Sequence, residues 1–108
     1  NIYVCSNKII FKDGVACGVD SNIIHSFNKN EVALPSSITQ KLKNRDNVIL
    51  LGDQISDLKM VNKNNHKLVI NVGLSSIDYP LDLLVNNFDI VCEENDGYDK
   101  LLKLLFNT

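Results

Sequence analysis

Residues 48–57 read Val-Ile-Leu-Leu-Gly-Asp-Gln-Ile-Ser-Asp. The stretch opens with an apolar run of Val, Ile and Leu, which is typical of a strand buried on both faces of a parallel sheet. The run ends in Gly52-Asp53, and a second acid, Asp57, follows four positions later. Open α/β sheets bind ligands at the carboxyl ends of their strands. The stretch therefore predicts an α/β fold with two carboxylates at its binding edge.

Other apolar runs, bounded by Asn, Asp, Gly or Ser, predict strands of the same kind. Together the predicted strands are Ile2–Cys5, Val48–Leu51, Leu68–Val72 and Asp89–Cys92. Helical spacing of apolar residues predicts crossover helices at Ile38–Leu42, Ile55–Val61, Pro80–Val85 and Tyr98–Phe106. Strand and helix alternate from Pro35 onward, which predicts a mostly parallel sheet with flanking helices.

The region Lys8–His25 has a different pattern. Short apolar groups flank Asp13-Gly14, and Asp20-Ser21-Asn22 follows; both are turn signals. This arrangement predicts a β-hairpin inserted ahead of Phe27.

The composition is that of one soluble globular domain, with 108 residues, 44% hydrophobic and 22% charged. The net charge of -2 gives no general attraction for nucleic acid or an anionic membrane, so neither partner is expected. No apolar run approaches the roughly 20 residues that cross a bilayer, and a cytoplasmic location is expected. Cys5, Cys17 and Cys92 have no metal-ligand spacing, which favours reduced, mostly buried thiols.

The acid pair Asp53 and Asp57 has two interpretations. Two carboxylates at one strand end suit Mg²⁺, which takes oxygen ligands and completes its octahedron with water and phosphate oxygens. Alternatively, Asp53 caps the following helix and Asp57 offsets the helix dipole. Spacing alone leaves both interpretations open.

Lys29 lies 24 positions before Asp53, just past the predicted hairpin. A lysine at the same edge would hold a phosphate as a point charge and offset the carboxylates. Taken alone, Lys29 is one of many lysines in the chain, which favours a solvated surface residue.

A resemblance to a known family favours the metal and phosphate interpretations of these residues. Strand-Gly-Asp-x-x-x-Asp is similar to the fourth motif of the haloacid dehalogenase superfamily, and the chain resembles the cytosolic pyrimidine 5'-nucleotidase family over nearly its whole length. The blocks that carry the resemblance, in family order, are Val4–Asn7, Phe11–Gly14, Ile24–Asn30, Asn47–Asp57, Asp57–Met60 and Phe88–Val91. Gln54 and Ser56 depart from it, since the family loop usually has Ser and Gly there. Ser56 would restrict a backbone position that Gly leaves free.

The resemblance implies a partial Rossmann-like haloacid dehalogenase core and Mg²⁺-dependent hydrolysis of pyrimidine nucleoside 5'-monophosphates. It implies that Lys29 is the third-motif lysine and binds the substrate phosphate. It also implies that Asp53 is a direct Mg²⁺ ligand and that Asp57 is the second acid, which positions the metal or its waters.

In this family an aspartate nucleophile forms a covalent aspartyl-phosphate, and the sequence has no Asp-x-Asp followed by Gly, Thr or Ser at a strand end. Residues 1–108 are then expected to be the C-terminal part of a core domain whose first strand, nucleophile motif and cap lie outside the sequence. We expect this chain alone to be inactive and to self-associate through an open sheet edge.

Two other functions fit the same residues. Another phosphatase of the superfamily, similar to phosphoserine phosphatase, would share the acid pair and the lysine. A non-catalytic α/β module, either a receiver-like signalling domain or a degenerate regulatory remnant, belongs to a different class. The block around Phe27-Asn28-Lys29 favours the nucleotidase.

Overall fold

A computed structural model describes residues 2–94 and 97–106. The chain divides into two compact units, residues 1–44 and residues 45–108. Among the described residues, no helix is long and apolar enough to cross a membrane.

The first unit contains the predicted hairpin. Strands β1 (Ile9–Lys12) and β2 (Val15–Val19) pair antiparallel, with an irregularity in register between Ile10 and Phe11. Asp13 and Gly14 join them with φ angles of 51° and 78°. Two successive left-handed residues match the right-handed twist of a hairpin, and Gly and Asp tolerate this conformation better than most residues. The hairpin prediction is confirmed.

The predicted strand Ile2–Cys5 is wrong. Residues 2–8 have no regular secondary structure, and neither sheet of the described chain includes them. A strand persists only where a neighbour takes its backbone N–H and C=O groups. The apolar run indicated a strand but could not supply that neighbour.

The rest of the first unit is short and helical. A 3₁₀ helix spans Glu31–Ala33, and helix α1 spans Ser36–Leu42, as the spacing after Pro35 predicted. None of the described residues of this unit is buried. Cys17 is exposed, Cys5 is half-buried and only Cys92, in the second unit, is buried, so the expectation of mostly buried thiols is wrong.

The second unit is built on a three-stranded parallel sheet. Strands β3 (Asn47–Gly52), β4 (Leu68–Leu74) and β5 (Ile90–Cys92) lie in the order β3-β4-β5. Their register places Gly52 beside Gly73, and Leu74 beside Cys92, so the carboxyl ends of all three strands share one edge. The predicted parallel sheet is confirmed for these strands.

Helices cover both faces of this sheet. Helix α2 (Leu81–Asn87) packs against β4 and β5, and the Phe88 ring that follows it lies over Gly73. On the opposite face, Leu101 of helix α3 (Asp99–Phe106) packs with Val72 and Cys92. A parallel sheet with helices packed on its two faces is the layered arrangement of a Rossmann-like α/β fold.

The segment after β3 differs in type from its prediction. Instead of a helix over Ile55–Val61, a 3₁₀ helix spans Ile55–Met60. The Asp57 N–H donates to the Gln54 carbonyl at 3.0 Å, an i to i−3 bond that closes the tighter turn. A further 3₁₀ helix, Lys63–Asn65, has no counterpart in the predictions.

Candidate functional site

The candidate site begins where β3 ends. Gly52 is the last residue of the strand, and Asp53 follows it with an exposed side chain. The 3₁₀ helix starts two residues later, at Ile55. Asp53 therefore stands in the short connection at the carboxyl edge of the sheet, where open α/β sheets bind ligands.

Asp57 is the buried acid of the pair, with 7% of its surface exposed. Its Oδ2 atom accepts hydrogen bonds from the backbone N–H of Asp53 at 3.0 Å and of Gln54 at 3.1 Å. A buried carboxylate needs such donors to offset its lost hydration. Through this oxygen Asp57 holds the backbone of Asp53. The capping interpretation had made Asp53 the cap, whereas the N-cap residue of the 3₁₀ helix is Gln54.

Gly52 makes the close approach of Asp57 possible. A Cβ atom built on Gly52 would lie 2.5 Å from the Asp57 Cβ and 2.8 Å from its Oδ2. Any side chain at position 52 would displace the carboxylate that holds the loop. The glycine of the Gly-Asp-x-x-x-Asp motif is thus required for packing, in addition to any chemical role of its two acids.

A third contact on this loop comes from a residue that the sequence did not single out. The backbone N–H of Ile55 donates to the Tyr79 hydroxyl at 3.2 Å. Tyr79 lies in the loop after β4 and is half-buried. The sequence signal that could have identified Tyr79 is its position between the end of a strand and Pro80, directly before α2. Loops that follow strand ends line the binding edge of such sheets.

Ser56, which departs from the family loop, has an ordinary backbone. Among the described residues, Asp13 is the only non-glycine residue with a positive φ angle. Position 56 therefore does not need the conformational freedom of glycine in this chain.

Lys29 belongs to the first unit, in a turn held by asparagine side chains. Asn28 accepts from the His25 N–H at 2.7 Å and donates to the Ile23 carbonyl at 2.8 Å. Asn7 pairs in the same two-sided way with the backbone of Ile24, at 2.7 and 2.8 Å. The Lys29 N–H donates to the His25 carbonyl at 2.9 Å, and its side chain is exposed.

The oxygen donors around Asp53 fit a Mg²⁺ site in which the protein supplies only a few of the ligands. Mg²⁺ is commonly held by one or two carboxylates, with water and substrate phosphate supplying the other oxygens. Asp53 offers an exposed carboxylate on a backbone that Asp57 fixes. The described residues contain no group of three or more His, Cys, Asp or Glu side chains that would form an all-protein metal cage.

Comparisons with known proteins show the family to which the chain is similar. A family model described as "Pyrimidine 5'-nucleotidase (UMPH-1)" matches residues 1–107. The chain is 34% identical over 110 aligned residues to a 7-methylguanosine phosphate-specific 5'-nucleotidase of Rattus norvegicus, covering 97% of this chain and 37% of the relative. The corresponding protein of Homo sapiens is 33% identical over the same shares of the two chains.

A solved structure shows the same fold. The crystal structure of cytosolic 5'-nucleotidase IIIB bound to cytidine superposes with a TM-score of 0.76 and 28% identity, covering 96% of this chain and 37% of the other. The expected α/β haloacid dehalogenase-type core is confirmed. This chain spans little more than a third of the length of these relatives.

Proposed function

The chain belongs to the pyrimidine 5'-nucleotidase (UMPH-1) family, and on that premise we propose that the full-length protein hydrolyses a nucleoside 5'-monophosphate to nucleoside and inorganic phosphate. The observation that carries the proposal is the loop after β3. There an exposed carboxylate, Asp53, is held in place by a buried one, Asp57. The family match gives the class of reaction, and the arrangement of this loop supports the proposal that Asp53 and Asp57 take part in it.

In this proposal Asp53 binds Mg²⁺ directly and Asp57 fixes the Asp53 backbone. When bound, the metal neutralises charge on the phosphoryl group during transfer. Lys29 binds the substrate phosphate, a role that rests on the family resemblance of residues 24–30. Its ammonium group would act as a second positive charge on the transferring group.

The nucleophile is expected outside these 108 residues. By the family resemblance, an aspartate takes the phosphoryl group from the nucleotide, and water then hydrolyses the aspartyl-phosphate to release phosphate. The part of the reaction assigned to this chain is therefore binding and charge stabilisation. We propose a cytoplasmic location, in line with the cytosolic 5'-nucleotidase whose structure it resembles.

The test is a phosphate-release assay of the full-length protein with CMP and UMP, with Mg²⁺ or with a chelator. We expect Mg²⁺-dependent hydrolysis, and Asp53→Asn should lower kcat/KM by more than about 100-fold, because loss of a metal ligand costs at least as much as loss of the residues that support it. The matched control is Asp46→Asn. Asp46 is exposed, directly precedes β3 at the opposite end of the strand and pairs with Lys67 at the surface, a contact worth little.

A second substrate comes from the relatives, which are named as 7-methylguanosine phosphate-specific 5'-nucleotidases. 7-Methylguanosine monophosphate is therefore assayed beside CMP and UMP, and the ratio of kcat/KM values gives the base preference. Phosphoserine serves as the substrate of the rival phosphatase class. Turnover of phosphoserine alone would replace the nucleotidase proposal, and no turnover of any substrate would favour a non-catalytic remnant.

A further inference from the structure

We propose that Tyr79 is a positioning residue for the metal-binding loop, acting through the backbone of Ile55. This inference rests on the proposed function, because it assumes that Asp53 binds Mg²⁺. The proposal is a structural link between the loop after β4 and the loop after β3, made by one hydroxyl group.

The geometry of the link is direct. The Tyr79 Oη atom lies 3.2 Å from the Ile55 nitrogen and accepts its hydrogen bond. Ile55 is the first residue of the 3₁₀ helix, and Gln54 before it has an extended backbone. The first N–H groups of a helix have no backbone partner within it and are satisfied by side chains, water or ligands.

Three successive N–H groups after β3 are thereby satisfied by two side chains. Asp57 accepts those of Asp53 and Gln54, and Tyr79 accepts that of Ile55. Asp57 belongs to the 3₁₀ helix that follows the loop. Tyr79 comes from the connection after β4, so its hydroxyl ties the loop to a neighbouring part of the sheet edge.

The base of Tyr79 is itself restrained. Its N–H donates to the Ser76 carbonyl at 3.4 Å, and Pro80, with its fixed φ, directly precedes α2. Helix α2 packs against the 3₁₀ helix that Ile55 begins. These contacts restrain the backbone of the turn that carries Tyr79, and a restrained backbone is what a positioning residue needs.

The test compares Tyr79→Phe with Tyr98→Phe in the full-length protein. The first removes the acceptor oxygen and keeps the ring. The second removes the hydroxyl of Tyr98, an exposed tyrosine of the same unit whose hydroxyl makes no hydrogen bond within the described chain. Two quantities are measured: the Mg²⁺ concentration for half-maximal activity, and the amide hydrogen exchange rate at Ile55.

For Tyr79→Phe we expect the half-saturating Mg²⁺ concentration to rise about two- to tenfold, the range that loss of one neutral hydrogen bond gives. KM for the nucleotide at saturating Mg²⁺ should stay unchanged, and Ile55 amide exchange should become faster. Tyr98→Phe should change neither quantity. If Tyr79→Phe fails to fold, p-aminophenylalanine at position 79 keeps the size and polarity of the side chain while weakening the acceptor, and the same shifts are expected of it.

Unchanged Mg²⁺ half-saturation in a folded Tyr79→Phe protein would overturn the inference and leave the proposed function standing. So would a general loss of activity and melting temperature without a shift in the Mg²⁺ requirement, because that indicates a merely structural tyrosine. Wild-type protein whose activity does not depend on Mg²⁺ would instead refute the metal role of Asp53, and the role of Tyr79 with it. The wild-type assay separates the two failures.

Discussion

At the scale of single residues, Asp53 and Asp57 of one motif lie in different environments, and we propose different roles for them. Asp53 is exposed and Asp57 is buried, and the buried carboxylate accepts two backbone N–H groups from the loop that carries the exposed one. The spacing could not separate a capping role from a metal-related role. In the structure Asp57, not Asp53, accepts the backbone N–H groups at this turn, and the metal role of the pair stays a prediction.

Replacing Asp57 tests this role. Asp57→Ala leaves two N–H groups without their acceptor and should lower the free energy of unfolding by about 1–3 kcal/mol. Asp57→Asn keeps one acceptor oxygen and should lose less. Urea unfolding of the full-length protein measures both, with Asp82→Ala on the exposed side of α2 as the control. Equal losses for Asp57→Ala and Asp82→Ala would contradict the role.

The turn that carries Lys29 gives a second prediction at this scale. Asn28→Ala removes both side-chain bonds that hold the backbone of His25 and Ile23, and the turn should loosen. If Lys29 binds phosphate, KM for the nucleotide and the inhibition constant for inorganic phosphate should both rise several-fold, since each binding event must then order the turn.

Asn22→Ala is the matched control for that turn, because Asn22 is an exposed asparagine with no side-chain hydrogen bond to the described residues. If the inhibition constant for inorganic phosphate is the same for Asn28→Ala and wild-type protein, the proposed role of Lys29 in phosphate binding is contradicted.

At the scale of elements, β3 and the 3₁₀ helix after it work as one unit. Helical spacing predicted a helix over Ile55–Val61, but periodicity does not separate a 3₁₀ from an α-helix over so short a span. What tightens the segment is the buried Asp57 carboxylate folding back on Asp53 and Gln54. The helices predicted from apolar spacing elsewhere are present close to their predicted bounds, as α1, α2 and α3.

A glycine substitution tests the strand-to-helix connection. Gly52→Ala would place a methyl group 2.5 Å from the Asp57 Cβ, so the buried side chain or the strand must shift. Overpacking of this kind costs about 1–3 kcal/mol, and the displaced Asp57 should also raise the Mg²⁺ requirement.

Gly18→Ala is the control for this substitution. Gly18 also lies in a strand, but nothing lies within 4 Å of a Cβ built there. Melting temperature and Mg²⁺ titration of both variants should show loss for Gly52→Ala alone; a well-folded Gly52→Ala protein with wild-type Mg²⁺ dependence would refute the packing argument.

At the scale of the whole molecule, the parallel sheet has an unpaired side. β3 is an edge strand of the described sheet, and Ile49 and Leu51 on it are each 44% exposed. Exposed apolar edges are sites for pairing with another strand. We therefore expect self-association of this chain to occur at the β3 edge.

We expect the isolated 108-residue chain to sediment as a mixture of monomer and larger species. Ile49→Lys should reduce that association, because a charged edge resists strand pairing. Asn47→Lys, a charge at an already polar position of the same strand, is the control and should have a smaller effect. A dilute monomer with a sharp thermal transition for the unmodified chain would contradict the expectation.

The amino-acid sequence by itself determined the α/β class, the three parallel strands, the hairpin turn at Asp13-Gly14 and the placement of Asp53 at a strand end. These follow from local rules: apolar periodicity, turn chemistry and the common edge of parallel strands. Only the tertiary structure decided that Ile2–Cys5 pairs with no strand of the described residues, that Asp57 is buried against Gly52, and that the Tyr79 hydroxyl accepts the Ile55 N–H. Each of these three features depends on a contact between residues that are not adjacent in the sequence. Such hydrogen bonds and packing contacts produce no periodic pattern of apolar residues, so the sequence does not reveal them.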